Sequence, residues 1–154
     1  MNTEEFIDRF IRALDELERT KDSKPIGDLF SDDAVLYNPM LTGGVRGREG
    51  VERFWQQYRG TFKDVKSLFR RRLACGNVGV LEWYSDGHLS DTGMPVHYSG
   101  VSIFEHDGQR IRQFNVYYDS VHLMHPSVMV PAQSRQASKV KRPELGHGHE
   151  TRAT

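Results

Sequence analysis

Two titratable side chains stand where a strand could present them to a ligand, His97 and Asp119. An imidazole and a carboxylate are well suited to moving protons near neutral pH. Strand parity sets His97 on an outer face and Asp119 at the end of its strand. A strand-end twist would swing that carboxylate into a pocket mouth, where His97 or His122 could partner it as a base. Asp119, His122 and His125 also recur every three residues, a spacing that converges on a helical turn. Pro126 follows them and no supporting pattern accompanies them, so no metal is expected. Cys75 is the only cysteine, which excludes an internal disulfide and fits a reducing cytoplasm. Gly43, Gly44 and Gly47 are not followed by Gly-Lys-Ser or Gly-Lys-Thr, so they form no phosphate loop. Arg70, Arg71 and Arg72 alternate across a strand and make no single anion patch. No cofactor is expected.

These residues need elements to hold them. Phe6, Ile7, Phe10, Ile11, Leu14 and Leu17 recur at helical spacing, which predicts a helix over 4–19 capped by Asn2 or Thr3. A short helix begins at Pro25 and ends near residue 30. DDAVLYNP (32–39) reads as a strand stopped by Pro39. The loop TGGVRG (42–47) leads to a third helix with Val51, Phe54, Trp55 and Tyr58 on one face, closed by Gly60. From residue 61 the period shortens towards two, predicting strands over 63–75, 77–88, 95–105 and 110–119. Helices followed by an antiparallel meander define an α+β protein.

The strand faces suggest a pocket. On the last strand Arg112, Phe114, Val116 and Tyr118 share the more apolar face, which we assign to the interior. On the preceding strand Tyr98 lies in the set Val96, Tyr98, Gly100, Ser102 and Phe104, and neither face is cleanly polar. For 78–84 periodicity leaves open whether Trp83 or its neighbours point inward. A sheet wrapped on helices, with Tyr and Trp turned inward, builds an apolar pocket with a few polar points. Apolar residues on both sheet faces call for a second cover, and a second copy of the chain is the simplest.

Composition bounds the partners. The chain has 154 residues, about one domain's length, with 21 basic and 21 acidic side chains. Zero net charge gives no footprint for nucleic acid. No apolar run is long enough to span a membrane. The opening MNTEEFIDRF is acidic and amphipathic, unlike a signal peptide. We expect a domain over 1–131 and a mobile tail over 132–154, which carries five basic and two acidic residues, His147 and His149, and little that could dock.

The order of these elements, with DDAVLYNP, the junction GREGVERFW, GMP before a strand and the final DGQRIRQFNVYYD, resembles the SnoaL-like polyketide cyclases. They share a cone-shaped α+β barrel with ketosteroid isomerase, limonene epoxide hydrolase and the nuclear transport factor 2 superfamily. The resemblance covers about residues 4–120. It implies three N-terminal helices packed in a curved mixed or antiparallel sheet. It also places the family's functional positions. The isomerases' base, an aspartate before a proline, falls on Asn38. Their oxyanion donors fall on Phe10 and Gly100, and an aromatic of their third helix on Trp55. The key carboxylate of the cyclases and hydrolases falls on Val116. The cyclases' histidine falls near Val101 or Ser102, and the hydrolases' second aspartate and arginine near Trp83 and Leu81. Each recognised acid or base is therefore missing, although Asn38 matches a water-holding asparagine of the hydrolases.

The resemblance implies a small hydrophobic, oxygenated molecule held in the pocket, and the apolar sheet faces and lone cysteine add the expectation of a homodimeric, cytoplasmic protein. Asn38, Tyr98 and Tyr118 supply hydrogen bonds, with Trp55, Trp83, Phe114 and Val116 as walls. Two readings stay open: a cofactor-free cyclase, isomerase or dehydratase using Asp119 or His97, or a non-catalytic binder. A protein-interaction module finds no docking motif.

Overall fold

The computed structural model describes residues 1–41 and 43–124. The domain boundary expected at 131, the tail beyond it, and His125 lie outside the described residues. Helix α1 spans Thr3–Thr20. Asn2 caps it: its Oδ1 accepts the Glu5 N–H at 2.9 Å, and the Glu5 carboxylate accepts the Asn2 N–H at 3.1 Å. Lys21 ends the helix in the left-handed region, with φ 67°, its N–H donating to the Leu17 carbonyl at 2.9 Å. The apolar stripe is buried as its spacing predicts, with Phe6, Phe10 and Leu17 inaccessible or nearly so.

Helix α2 is shorter than expected, Lys24–Gly27. Strand β1 starts correspondingly early, at Phe30–Tyr37. Phe30 is fully buried and pairs with Ile111 of the last strand, so tertiary pairing claims residues that local propensity left to the helix. Within the expected glycine loop, Val45–Arg46 forms a two-residue strand β2 that pairs antiparallel with β1. Helix α3 (Gly47–Thr61) follows, then β3 (Phe62–Cys75), β4 (Val78–Leu89), β5 (Pro95–His106) and β6 (Ile111–Tyr118). A single turn, α4 (Val121–Met124), closes the described chain.

The six strands form one mixed sheet, in the order β2-β1-β6-β5-β4-β3. The meander is antiparallel, whereas β1 joins β6 in parallel. One face packs on α1 and α3 through Phe10, Leu36, Trp55, Leu81, Phe104 and Phe114, all buried. On β4 the inward set is Gly79, Leu81, Trp83 and Ser85, which settles the choice that periodicity leaves open. Arg112, assigned to the interior with Phe114, is exposed and pairs with Asp33 at 2.6 Å. The strict alternation expected of Arg70, Arg71 and Arg72 also fails. A register shift between Phe69 and Arg71 sets Arg70 over the Tyr84 ring at 4.5 Å and Arg71 beside Glu82 at 3.7 Å. Arg72 turns to Asp8 of α1 at 3.3 Å, so the three arginines still form no common patch.

Candidate functional site

Between α1, α3 and the inner face of the sheet lies a cavity of about 200 Å³. Helix α3 contributes Phe54, Trp55 and Tyr58 to its wall, and the strands contribute Phe62, Phe69, Trp83, Tyr98, Val116 and Tyr118. Trp83 and Tyr98 meet edge to face at 5.2 Å between ring centroids, and Tyr98 meets Tyr118 at 5.6 Å. Among the described residues that line it there is no Asp, Glu, Lys, Arg or His. The wall is thus aromatic and uncharged, with polar groups at separate points.

One polar point is built by Asn38 and Tyr118. The Asn38 Oδ1 accepts the Tyr118 hydroxyl at 2.9 Å and the Met40 N–H at 2.9 Å. Both bonds fix the amide's orientation, leaving the Nδ2 hydrogens as donors at the half-buried entrance. Burial raises the Tyr118 phenol above its usual pKa, so the hydroxyl keeps its proton. Trp55 lines the cavity with its ring, while its Nε1–H is buried out of reach and has no partner among the described residues. By contrast, the Trp83 Nε1–H donates to Ser102 Oγ at 3.0 Å.

A further polar point was missed by sequence reasoning. Glu18 of α1 is only 6% exposed. Its carboxylate accepts the Tyr58 hydroxyl at 2.8 Å, the Ser67 N–H at 2.8 Å and the Ser67 hydroxyl. Ser67 Oγ in turn lies 2.6 Å from Ser85 Oγ. Tyr58, Ser67 and Ser85 line the cavity, so Glu18 stands one hydroxyl behind its wall. Burial raises the Glu18 carboxyl above the usual carboxylate range, against its three hydrogen bonds. Burial also pushes the phenols of Tyr58 and Tyr98 up. The sequence did hold a signal: Glu18 falls four residues after Leu14, on the apolar stripe of α1, where a charged side chain needs partners.

Of the residues proposed from sequence, Asn38, Trp55, Trp83, Tyr98, Val116 and Tyr118 converge on the cavity. Phe114 is fully buried behind the wall, against Phe10 at 5.1 Å and Trp55 at 5.7 Å. His97 lies on the outer face, bound through Nδ1 to Asp86. Asp119 is exposed and accepts the Val121 N–H at 3.0 Å at the start of α4. Neither lines the cavity, because strand parity holds His97 outward and the chain turns into α4 right after Asp119. Among the described residues no cluster of three His, Cys, Asp or Glu is placed to hold a metal.

The position of the isomerases' second donor, Gly100, has no room for a side chain. A Cβ there would meet the Trp83 ring at 2.6 Å and clash with the Tyr117 carbonyl. The Trp83 indole thus occupies the space such a donor would need.

Residues 7–114 match the SnoaL-like domain model, and the chain belongs to that family. No curated protein matches it. Among solved structures, a nuclear transport factor 2-like protein from Anabaena variabilis superposes with TM-score 0.70 at 19% identity, covering 77% of this chain and 90% of that one. A protein from Jannaschia sp. assigned as a SnoaL-like polyketide cyclase gives 0.70 at 14%, covering 79% and 90%. An epoxide hydrolase of the limonene type from M. tuberculosis gives 0.61 at 19%, covering 78% and 84%. These likenesses establish the cone-shaped α+β fold. No helix of the described chain is long and apolar enough to cross a membrane.

Proposed function

We propose that the protein binds a small, largely apolar, oxygenated molecule in this cavity. The observation that carries the reading is the cavity itself: about 200 Å³, walled by aromatic rings, uncharged among the described residues, with hydrogen-bonding groups at discrete points. Asn38 offers its amide hydrogens, and Tyr118 and Tyr98 offer phenols. Trp55, Trp83 and Val116 are contact surface, and Phe114 acts behind them by buttressing Trp55.

The absence of an acid or base among the described lining residues favours binding over turnover. A cofactor-free cyclase, isomerase or dehydratase is the second reading. Its support is Glu18, a buried carboxyl one hydroxyl from the cavity. No proton transfer is routed through His97 or Asp119, which do not reach the cavity. We infer further a homodimer joined through the outer sheet face, in the cytoplasm.

Native mass spectrometry of the purified protein tests the reading, and an apolar oxygenated adduct is the expected result. With that ligand, Asn38→Ala weakens affinity by about 1 kcal/mol, roughly fivefold. Unchanged affinity would remove Asn38 from the site.

A further inference from the structure

Among the described residues Glu18 is the only buried carboxyl group, and its three hydrogen-bond donors, two hydroxyls and a backbone N–H, are neutral. An ionised carboxylate only accepts hydrogen bonds. The hydroxyl hydrogens of Tyr58 and Ser67 are therefore both turned towards Glu18, away from the cavity. Ser67 has no second hydrogen for Ser85, 2.6 Å away, so Ser85 must donate to Ser67. One carboxylate thus sets the direction of a chain of hydroxyls, and what remains for the cavity is oxygen lone pairs.

We infer that Glu18 is a positioning residue that makes the Tyr58–Ser67–Ser85 end of the cavity an acceptor surface, selecting a ligand whose polar group there is a neutral, donating hydroxyl. This rests on the small-molecule reading above and adds the class of ligand. A charged head group is disfavoured because no lining side chain among the described residues carries a counter-charge. A bare carbonyl would set lone pair against lone pair. Protonating Glu18 reverses one link: the acid donates to Tyr58 or Ser67, and that hydroxyl is freed to donate into the cavity.

The groups facing Glu18 do not confuse the titration. From α3, Tyr58 keeps its proton, being pushed well above its usual range by burial. Arg59, also on α3, donates to the Glu18 backbone carbonyl at 3.0 Å. Ser67 and Ser85 on β3 and β4 do not titrate, and burial pushes Tyr98 on β5 upward as well. Asp15, on the exposed side of α1, is paired with Arg19 at 3.8 Å.

The test is calorimetric titration of the full chain with indanol and indanone, probes of equal size that do not themselves titrate between about pH 5 and about pH 9. In the wild type, the affinity ratio of alcohol to ketone rises about tenfold with pH as Glu18 ionises. In Glu18→Gln the amide donates into the hydroxyl chain, so the ratio stays near its low-pH value at every pH. A folded Glu18→Gln protein that keeps the wild-type ratio and its pH dependence overturns the inference. If that variant does not fold, the wild type alone decides: with Glu18 ionised at the alkaline end of the range the alcohol binds more tightly than the ketone, and equal or weaker binding of the alcohol there overturns the inference. Failure of the wild type to bind either probe defeats the pocket reading itself. Binding of both with no preference for the alcohol at the alkaline end defeats only the role of Glu18.

Discussion

His106 has its protonation state set by its neighbours. Its Nδ1 accepts the Gly108 N–H at 3.0 Å, so the ring proton sits on Nε2, 2.7 Å from Thr3 Oγ1. Thr3 passes its own hydrogen to the Gly76 carbonyl. Only the neutral ring satisfies this arrangement, and burial holds the His106 pKa below its usual value. The unfolded chain takes up that proton near pH ~6.5, before the native state does. Between the two pKa values the unfolded state binds more protons, so stability falls as pH drops below about 6.5. Urea unfolding across this window is expected to show that decline, and His106→Gln to flatten it; an equal slope in both proteins would clear His106 of the effect. Glu18 acts with the opposite sign. Its raised pKa costs stability as pH rises through its ionisation. Gly100 is the other residue with a sharp expectation. Gly100→Asp must displace either the Trp83 ring or the β6 backbone. We expect a loss of about 2 kcal/mol or more in chemical denaturation. Wild-type stability would mean that the indole moves aside freely.

At the scale of elements, α1 carries both the core and the hidden acid. Its capping box satisfies two end groups at once. Asn2→Ala is expected to lower stability by about 1 kcal/mol, with cavity binding unchanged. A shift of the denaturation midpoint measures the first part and indanol titration the second. Altered binding would show that the first turn of α1 is coupled to Leu14 and Glu18 further along it. Most elements were legible because each has a period: the stripe of α1, that of α3, and the alternation along β3 to β6. Strand β2 was not legible, since two residues have no period, and its pairing with β1 is non-local. The inward set of β4 was not legible either, because Glu82 and Tyr84 alternate with Leu81 and Trp83 on a strand with no clean polar face. Contact with the helices made the choice.

For the whole molecule, the outer sheet face leaves Ile103 38% and Tyr117 54% exposed. Val101 pairs with Tyr117 across β5 and β6, and Ile103 pairs with Val80 across β4 and β5, so these side chains form neighbouring rows. A row of apolar side chains open to water is unusual on a monomer. Light scattering at micromolar concentration is expected to return a dimer, and Tyr117→Glu to shift it to monomer by burying an unpaired charge in the interface. A wild-type monomer would refute the interface.

Local physics fixed much of this protein from the sequence alone. Periodicity placed helices and strands, and glycine with proline placed most breaks between them. Inward parity on β5 and β6 put Tyr98, Val116 and Tyr118 on the side where the cavity lies. Tertiary structure decided what depends on distance in space. The parallel docking of β1 on β6 brought Asn38 to Tyr118, eighty residues apart in the chain. Packing of α1 and α3 on β3 and β4 gathered Glu18, Tyr58, Ser67 and Ser85 into one hydroxyl chain. No local pattern links those four residues. They meet because burying the apolar stripe of α1 buries Glu18 with it, and a buried carboxyl holds its place only where donors from other elements surround it.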